Sequence, residues 1–257
     1  MSPTTESATG HESSWRAWGW YYDALSAARF RPGEHDFHAN LAAAARGVVA
    51  EPACGAGRVL AIAKGLGREV WGADAEGAML TLAERRLATL RPDVPHHLVR
   101  QGLADFDPPE RLGLVLLPLD AVRLTADRRE LAALMATVAA RLAAGGCLAL
   151  DMDLPDAPRR DSGWLPSQPH PDGGRTRARV RQKLDGGFVV EETVYRTTGD
   201  DGRVTEAWTE DRYRQVTLSE LESALQAADM AVTQRCVDFL GTPWRPGDTT
   251  LVLTARR

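Results

Sequence analysis

Glu51-Pro52-Ala53-Cys54-Gly55-Ala56-Gly57-Arg58 is the stretch whose residue types and spacing are best equipped for chemistry. It follows the apolar run from Val48 and opens onto a segment of helical period. Gly55 and Gly57 lack Cβ, so the backbone there can approach a ligand and take positive φ at low cost. Ala53 and Ala56 keep the intervening positions small. A helix that starts at such a loop turns its first N–H groups toward it, an arrangement that suits a carboxylate. A second apolar run, Val70-Trp71-Gly72-Ala73, ends in Asp74 one strand–helix–strand unit later. An acid at that point can accept two hydrogen bonds from ribose hydroxyls. The combination describes a cradle for an adenosine-type cofactor. Taken alone, the loop reads equally as a tight strand-to-helix turn, and Asp74 as a helix cap.

Further candidates follow from the same logic. Asp120 and Arg123 come after the fourth apolar run, at the end of the sheet where ligands bind in such folds, and are candidates for substrate contact. Asp151 and Asp153 follow the fifth run, lining the pocket or facing solvent. His35 and His38 lie one turn apart around Asp36 with no further ligands in evidence, so no metal is expected; His38 is weighed as a pocket base against a plain surface histidine. Tyr21 and Tyr22, on a segment rich in aromatics, have ring faces suited to a cation, or simply anchor their helix. Trp164 lies in a Pro-rich stretch and is placed to close over a substrate. Arg175, Arg177, Arg179 and Arg181 alternate as one solvated strand face.

These residues need elements to hold them. Apolar runs at 48–51, 69–74, 97–101, 113–118 and 146–152 alternate with helical patterns at 57–66, 77–90 and 127–143. That rhythm predicts βαβ units and a parallel sheet with right-handed crossovers. Helices at 15–30 and 34–46 precede it, after a Ser/Thr/Gly-rich tail over 1–14 read as disordered. Residues 154–175, with five prolines, read as a loop or lid. Strands at 176–184, 187–197 and 203–216 follow, with Asp185-Gly186-Gly187 supplying one turn. Thr217-Leu218-Ser219-Glu220 forms a capping box for a helix at 218–229, and strands at 231–238 and 249–255 close the chain. The domain expectation is a tail (1–14), a cofactor-binding domain with lid helices (15–153), an antiparallel lid or dimer surface (154–216), and a final helix and strands completing the sheet (217–257).

The motifs resemble, as a set, those of class I S-adenosylmethionine-dependent methyltransferases of the small-molecule, natural-product branch. Glu51 to Arg58 is similar to their first motif, and Asp74-Ala-Glu-Gly-Ala-Met79-Leu80 to their second. Leu142-Ala-Ala-Gly145-Gly146 is similar to the turn before their fifth strand, and Tyr21-Tyr22-Asp23 to their N-terminal lid helix. The resemblance runs from about residue 20 to the end. It implies a Rossmann-like, doubly wound α/β fold, with a mostly parallel seven-stranded sheet, N-terminal lid helices and an inserted antiparallel region. It implies S-adenosylmethionine as cofactor, with Glu51 near the methionine amino group and Ala53, Cys54, Gly55 and Gly57 along the methionine and adenosine. Asp74 takes the ribose, Ala75 and Met79 the adenine, and Gly102, Leu103 and Ala104 its amine side. Pro118 lies near the transferred methyl, and Tyr22 joins the cofactor set. Tyr21, His38, Asp120, Arg123 and Trp164 are the substrate candidates. Two departures stand out: Ala53 replaces a glycine, and Leu103 stands where the family usually has an acid.

The implied activity is methyl transfer to nitrogen or oxygen of a small molecule, an in-line displacement that needs alignment and no fixed triad. A non-methylating enzyme on the same fold and a cofactor-binding protein without catalysis are the alternatives. A nicotinamide enzyme ranks lower, because the Gly-x-Gly-x-x-Gly spacing is missing. The net charge of −4 argues against nucleic-acid and anionic-membrane partners. Three widely spaced cysteines and a polar N-terminus without an apolar run point to a cytoplasmic setting. Pairing of the antiparallel strands across a homodimer is an open reading.

Overall fold

The computed structural model describes residues 14–26, 30–109 and 111–257. They fall into two compact units, one comprising the described residues of 30–157 and 214–257, the other residues 14–26 and 158–213.

The larger unit is built on β1 (Val48–Pro52), β2 (Val70–Asp74), β3 (His96–Arg100), β4 (Leu112–Leu117), β5 (Leu142–Asp153), β11 (Ala231–Cys236) and β12 (Thr250–Arg256). They form one seven-stranded sheet in the order β11-β12-β5-β4-β1-β2-β3. β1 to β5 pair in parallel, and β12 runs antiparallel to both its neighbours. The fold class is therefore as expected: α/β, with a mostly parallel seven-stranded sheet and a separate antiparallel sheet.

All six residues of β4 are buried, the run expected of a strand covered on both faces. Leu114 and Leu116 pack with α2 (Glu34–Ala44), α3 (Arg58–Gly65) and α4 (Gly77–Ala88). Val115 and Leu117 pack on the other face with α5 (Arg128–Arg141) and α6 (Leu218–Ala227). Each such leucine contributes about 1.5–3 kcal/mol of hydrophobic stabilisation. Capping sets the starts of the last two helices. Asp127 accepts from the Arg129 and Glu130 amides, and Thr217 from the Glu220 amide. Gly145 (φ 76) lies near the start of β5, and a Cβ at Gly146 would lie 2.9 Å from two carbonyl oxygens.

The smaller unit holds α1 (Ser14–Ser26), β6 (Asp161–Trp164), β7 (Gln168–Pro169), β8 (Arg175–Asp185), β9 (Phe188–Thr198) and most of β10 (Val204–Arg214). β8 and β9 form a hairpin from Arg175↔Thr198 to Asp185↔Phe188. Gly186 and Gly187 close it with positive φ at both positions, as its two-residue turn requires. The face carrying Ala178 and Tyr195 packs on α1. Trp18 stacks on Tyr195 with centroids 4.1 Å apart, and the Tyr21 hydroxyl accepts from the Ala178 amide and donates to the Pro166 carbonyl. This aromatic packing assigns α1 to the antiparallel unit and not, as the sequence pattern had it, to the cofactor domain. The stretch expected as a loop, 154–175, carries β6 and β7. Residues 1–13 and 27–29, where the tail and the end of the first helix were placed, lie outside the described residues. Among the described residues no helix is long and apolar enough to cross a membrane.

Candidate active site

The strand order reverses at β1, with β2 and β3 on one side and β4 and β5 on the other. In open α/β sheets this switch point, at the carboxyl ends of the strands, is where ligands bind. Glu51, the 53–57 loop, Asp74, Pro118–Arg123 and Asp151 all lie at these ends.

The loop after β1 is pinned by hydrogen bonds to the end of β2. The Cys54 amide donates to Ala73 O (2.9 Å), and the Gly55 amide donates to the Asp74 carboxylate (2.8 Å). The second Asp74 oxygen accepts from the Glu76 amide at 2.9 Å. A carboxylate has about four lone-pair sites, so Asp74 retains capacity for two hydroxyls. Ala53, Gly55 and Gly57 take φ of 56°, 53° and 70°. Gly55 and Gly57 do so freely. Ala53 carries a strain of about 1–2 kcal/mol, which explains why the related motif has glycine there. A Cβ on Gly55 would meet Met79 Cε at 3.2 Å, and one on Gly57 would meet Ala83 at 3.2 Å, so both glycines also allow close packing against α4. Met79 is buried beside the loop, and Ala75 is exposed with its carbonyl accepting from Arg100. Gly72, which the motif reading passed over, faces Leu60, Cys54 and Leu98 within 2.9 Å of a Cβ position, so only glycine fits beneath the loop.

Glu51 is buried at 3% exposure, and its Oε2 has no hydrogen-bond partner among the described residues. Burial pushes its carboxyl up to about 8, against the opposing pull of Arg58 and the Leu60 amide. A buried acceptor of this kind fits a cationic donor, and the ammonium of a methionine moiety supplies one. With the pinned glycine loop and the two spare positions on Asp74, the residues present fit S-adenosylmethionine. After β3, Leu103 begins a helical turn, Leu103–Asp105, and packs partly into the core; Gly102 precedes it in extended conformation, while Ala104 and Asp105 are exposed.

At the other flank, Pro118 is buried, and Leu119 and Asp120 take left-handed φ of 54° and 64°. Non-glycine residues hold such values only where the surroundings over-determine them. Here they do: Asp120 accepts from the Asp153 amide (2.7 Å) and from Arg123 (3.0 Å), and the Leu119 amide donates to Asp151 (3.1 Å). Arg123 is buried and also donates to the Arg214 carbonyl. Asp151 is 2% exposed, which excludes the solvent-facing alternative. Burial pushes it up to about 6 although Arg31 pulls the other way.

His38 is 2% exposed, not a surface residue, and packs between Phe37 and Phe239. Neither ring nitrogen has a partner among the described residues. Burial, with Arg58 and Arg31 nearby, pushes it down to about 4, so it is neutral at pH 7 despite the attraction of Glu34. His35 is exposed beside Asp36. The remaining candidates lie in the smaller unit. Tyr21 is 2% exposed with its hydroxyl committed to two backbone partners, Tyr22 is half-buried, and Trp164 has the guanidinium groups of Arg177 and Arg196 each 4.6 Å from its ring. The sequence reading missed Arg31 and Glu34, which carry no motif signal.

No family model and no curated protein matches the chain. Solved structures do. An S-adenosylmethionine-dependent methyltransferase from Clostridium acetobutylicum superposes with a TM-score of 0.75 at 13% identity, covering 95% of this chain and 99% of that one. A sugar N-methyltransferase from Streptoalloteichus gives 0.75 at 20% identity, over 100% and 99%. An amino pentose methyltransferase from Micromonospora echinaspora gives 0.68 at 22%, over 96% and 100%.

Proposed function

We propose that this chain, which has the fold of class I S-adenosylmethionine-dependent methyltransferases, transfers a methyl group from S-adenosylmethionine to nitrogen or oxygen of a small molecule. The observation that carries the reading is the Asp74–Gly55 bond between the tip of β2 and a glycine loop, with the unpartnered, buried Glu51 at the loop's root. When bound, the cofactor supplies a methyl already activated as a sulfonium substituent. The residues that would hold it are Glu51 on the ammonium, Ala53, Cys54, Gly55 and Gly57 along its length, and Asp74 on the ribose. Ala75, Met79 and Gly102–Ala104 would take the adenine, with Pro118 completing the set in the larger unit.

The protein's own task is alignment, worth on the order of 7–11 kcal/mol in ideal cases. Leu119 and Asp120, held in left-handed conformation, give the turn after β4 one shape for the acceptor to meet. Within the larger unit, Asp120, Arg123 and His38 are assigned to the acceptor. His38, being neutral, can accept a hydrogen bond from an acceptor N–H or O–H. The small-molecule acceptor is supported by the sugar and amino pentose methyltransferases among the structural relatives. The acidic net charge supports the absence of nucleic-acid and membrane partners, and three buried free cysteines support a cytoplasmic setting. A homodimer formed through the antiparallel strands completes the reading.

Calorimetry with S-adenosylmethionine tests the cofactor, with micromolar binding expected; no heat at about millimolar donor would sink it. Incubation with amino sugars then tests transfer, by one added methyl per S-adenosylhomocysteine formed.

A further inference from the structure

A chain of ion pairs crosses the ligand edge of the larger unit. Arg58, the first residue of α3 and the end of the cofactor loop, donates to Glu34 at 2.5 Å. The second Glu34 oxygen accepts from the backbone and side chain of Arg31 at 2.8 and 3.3 Å. Arg31 donates to Asp151 Oδ2 at 2.7 Å, and Asp151 Oδ1 accepts from the Leu119 amide at 3.1 Å. Glu34 and Asp151 are 1% and 2% exposed, and the two arginines rest on aromatic rings, Arg58 on Phe30 and Arg31 on Phe239. Buried charges persist only when fully paired, and every link here is paired. The chain's two ends are the two halves of the candidate site.

We propose that Asp151 is a positioning residue that couples the cofactor loop to the strained turn at Leu119–Asp120, through Arg31, Glu34 and Arg58. This rests on the methyltransferase reading, in which that turn faces the acceptor. One oxygen of Asp151 fixes the Leu119 amide in a left-handed conformation that is strained for a residue with a Cβ. The other transmits the position of Arg31. The turn is thus ordered when the Arg58 end is ordered.

Asp151 is also the link that titrates. The charged groups around it are Arg31 before α2, Asp120 in the turn, Arg123 paired to Asp120, and Glu34 on α2, where the titratable His38 is neutral. On β12 it faces the apolar Val252. Burial pushes its carboxyl up to about 6, and Asp120 adds to the push, while Arg31 and the Leu119 amide hold it down. Protonation removes the ion pair to Arg31 and turns a charge-assisted bond to Leu119 into a neutral one, about half as strong. The coupling is therefore present above pH 6 and lost below it.

Backbone hydrogen exchange of the full chain tests this, with S-adenosylmethionine as the probe. In the wild type the donor slows exchange at 53–58 and also at 119–121. In Asp151→Asn the donor still binds within about threefold, but 119–121 no longer responds. Arg31→Gln, altered at the partly exposed link, gives the same uncoupling while the turn itself stays protected. Without donor, exchange at 119–121 in the wild type, corrected for intrinsic rate, quickens roughly 10-fold between about pH 7.5 and 5.5, and Asp151→Asn shows no such step. Donor-dependent protection of 119–121 that survives in both variants overturns the proposal, as does a pH step that survives in Asp151→Asn. Should Asp151→Asn fail to fold, Arg31→Gln decides alone. Failure of the wild type to bind donor counts instead against the methyltransferase reading, and the pH arm still decides the role of Asp151 at the turn.

Discussion

Asp74 Oδ2 accepts the backbone N–H of Gly55 at 2.8 Å across nineteen residues of sequence, so the acid assigned to the ribose also builds the loop assigned to the methionine. The two roles separate by substitution. Asp74→Ala removes the hydroxyl acceptors and leaves the Gly55 and Glu76 amides without their partner. Asp74→Asn keeps an acceptor for one amide. We expect Asp74→Ala to weaken S-adenosylmethionine binding by about 2–3 kcal/mol, roughly 30- to 150-fold in Kd, with faster amide exchange at Gly55. Asp74→Asn should lose less affinity and retain more of the protection. Equal affinity for all three proteins by calorimetry would mean that the motif is misassigned.

Glu51 predicts a proton count. With its carboxyl pushed up to about 8, it is mostly protonated at pH 7 in the free protein. Pairing with an ammonium lowers it, so binding at pH 7 should release ~0.9 proton. Binding enthalpies measured in phosphate and in Tris should differ accordingly, and Glu51→Gln should abolish the difference while weakening affinity. The same shift has a stability consequence. The folded value lies above the usual carboxylate value of 4.5, so stability falls as pH rises from 4.5 through 8. Ligand-free Glu51→Gln should therefore melt higher than the wild type near the alkaline end of this window.

His38 works in the opposite sense. Its folded value is lowered from 6.5 to about 4, so the unfolded chain binds its proton first. The stability it contributes is present above 6.5 and is lost as pH falls toward 4. His38→Phe, which matches the ring environment of Phe37 and Phe239, should flatten this limb and be more stable than the wild type near pH 4, by about 1–3 kcal/mol in denaturant titrations. Parallel wild-type and variant curves across that window would show that the imidazole has another partner.

Tyr21→Phe probes the smaller unit. The hydroxyl bridges the Ala178 amide and the Pro166 carbonyl, both at 2.9 Å, and removing it leaves a buried amide unpaired. A loss of about 1–3 kcal/mol follows, read as faster exchange at Ala178. Unchanged exchange there would show that the bond contributes nothing.

The geometry of the glycine loop and of Asp74 was legible in the sequence because its determinants are local. Glycines where a chain must turn left-handed, small residues where a loop must be approached, and an acid at a strand tip are each chosen by backbone geometry within a few residues. The turn after β4 was legible only as Asp120 and Arg123 at the end of a run. Asp151 read as a residue that lined a pocket or faced solvent, His38 most simply as a surface histidine, and Tyr21 equally as a ring for a cation or as an anchor of its helix. Their burial depends on which elements cover them, and periodicity carries no record of that.

By itself, then, the sequence determined the alternation of strands and helices, the fold class and the place of the glycine loop, because apolar period and turn chemistry act over short stretches of chain. Only the tertiary structure decided that α1 packs with the antiparallel strands, through Trp18 on Tyr195. Only it brought Arg31 to Asp151, 120 residues away. Such pairs form because strand order places distant segments at one sheet edge, where a buried charge must find an opposite one.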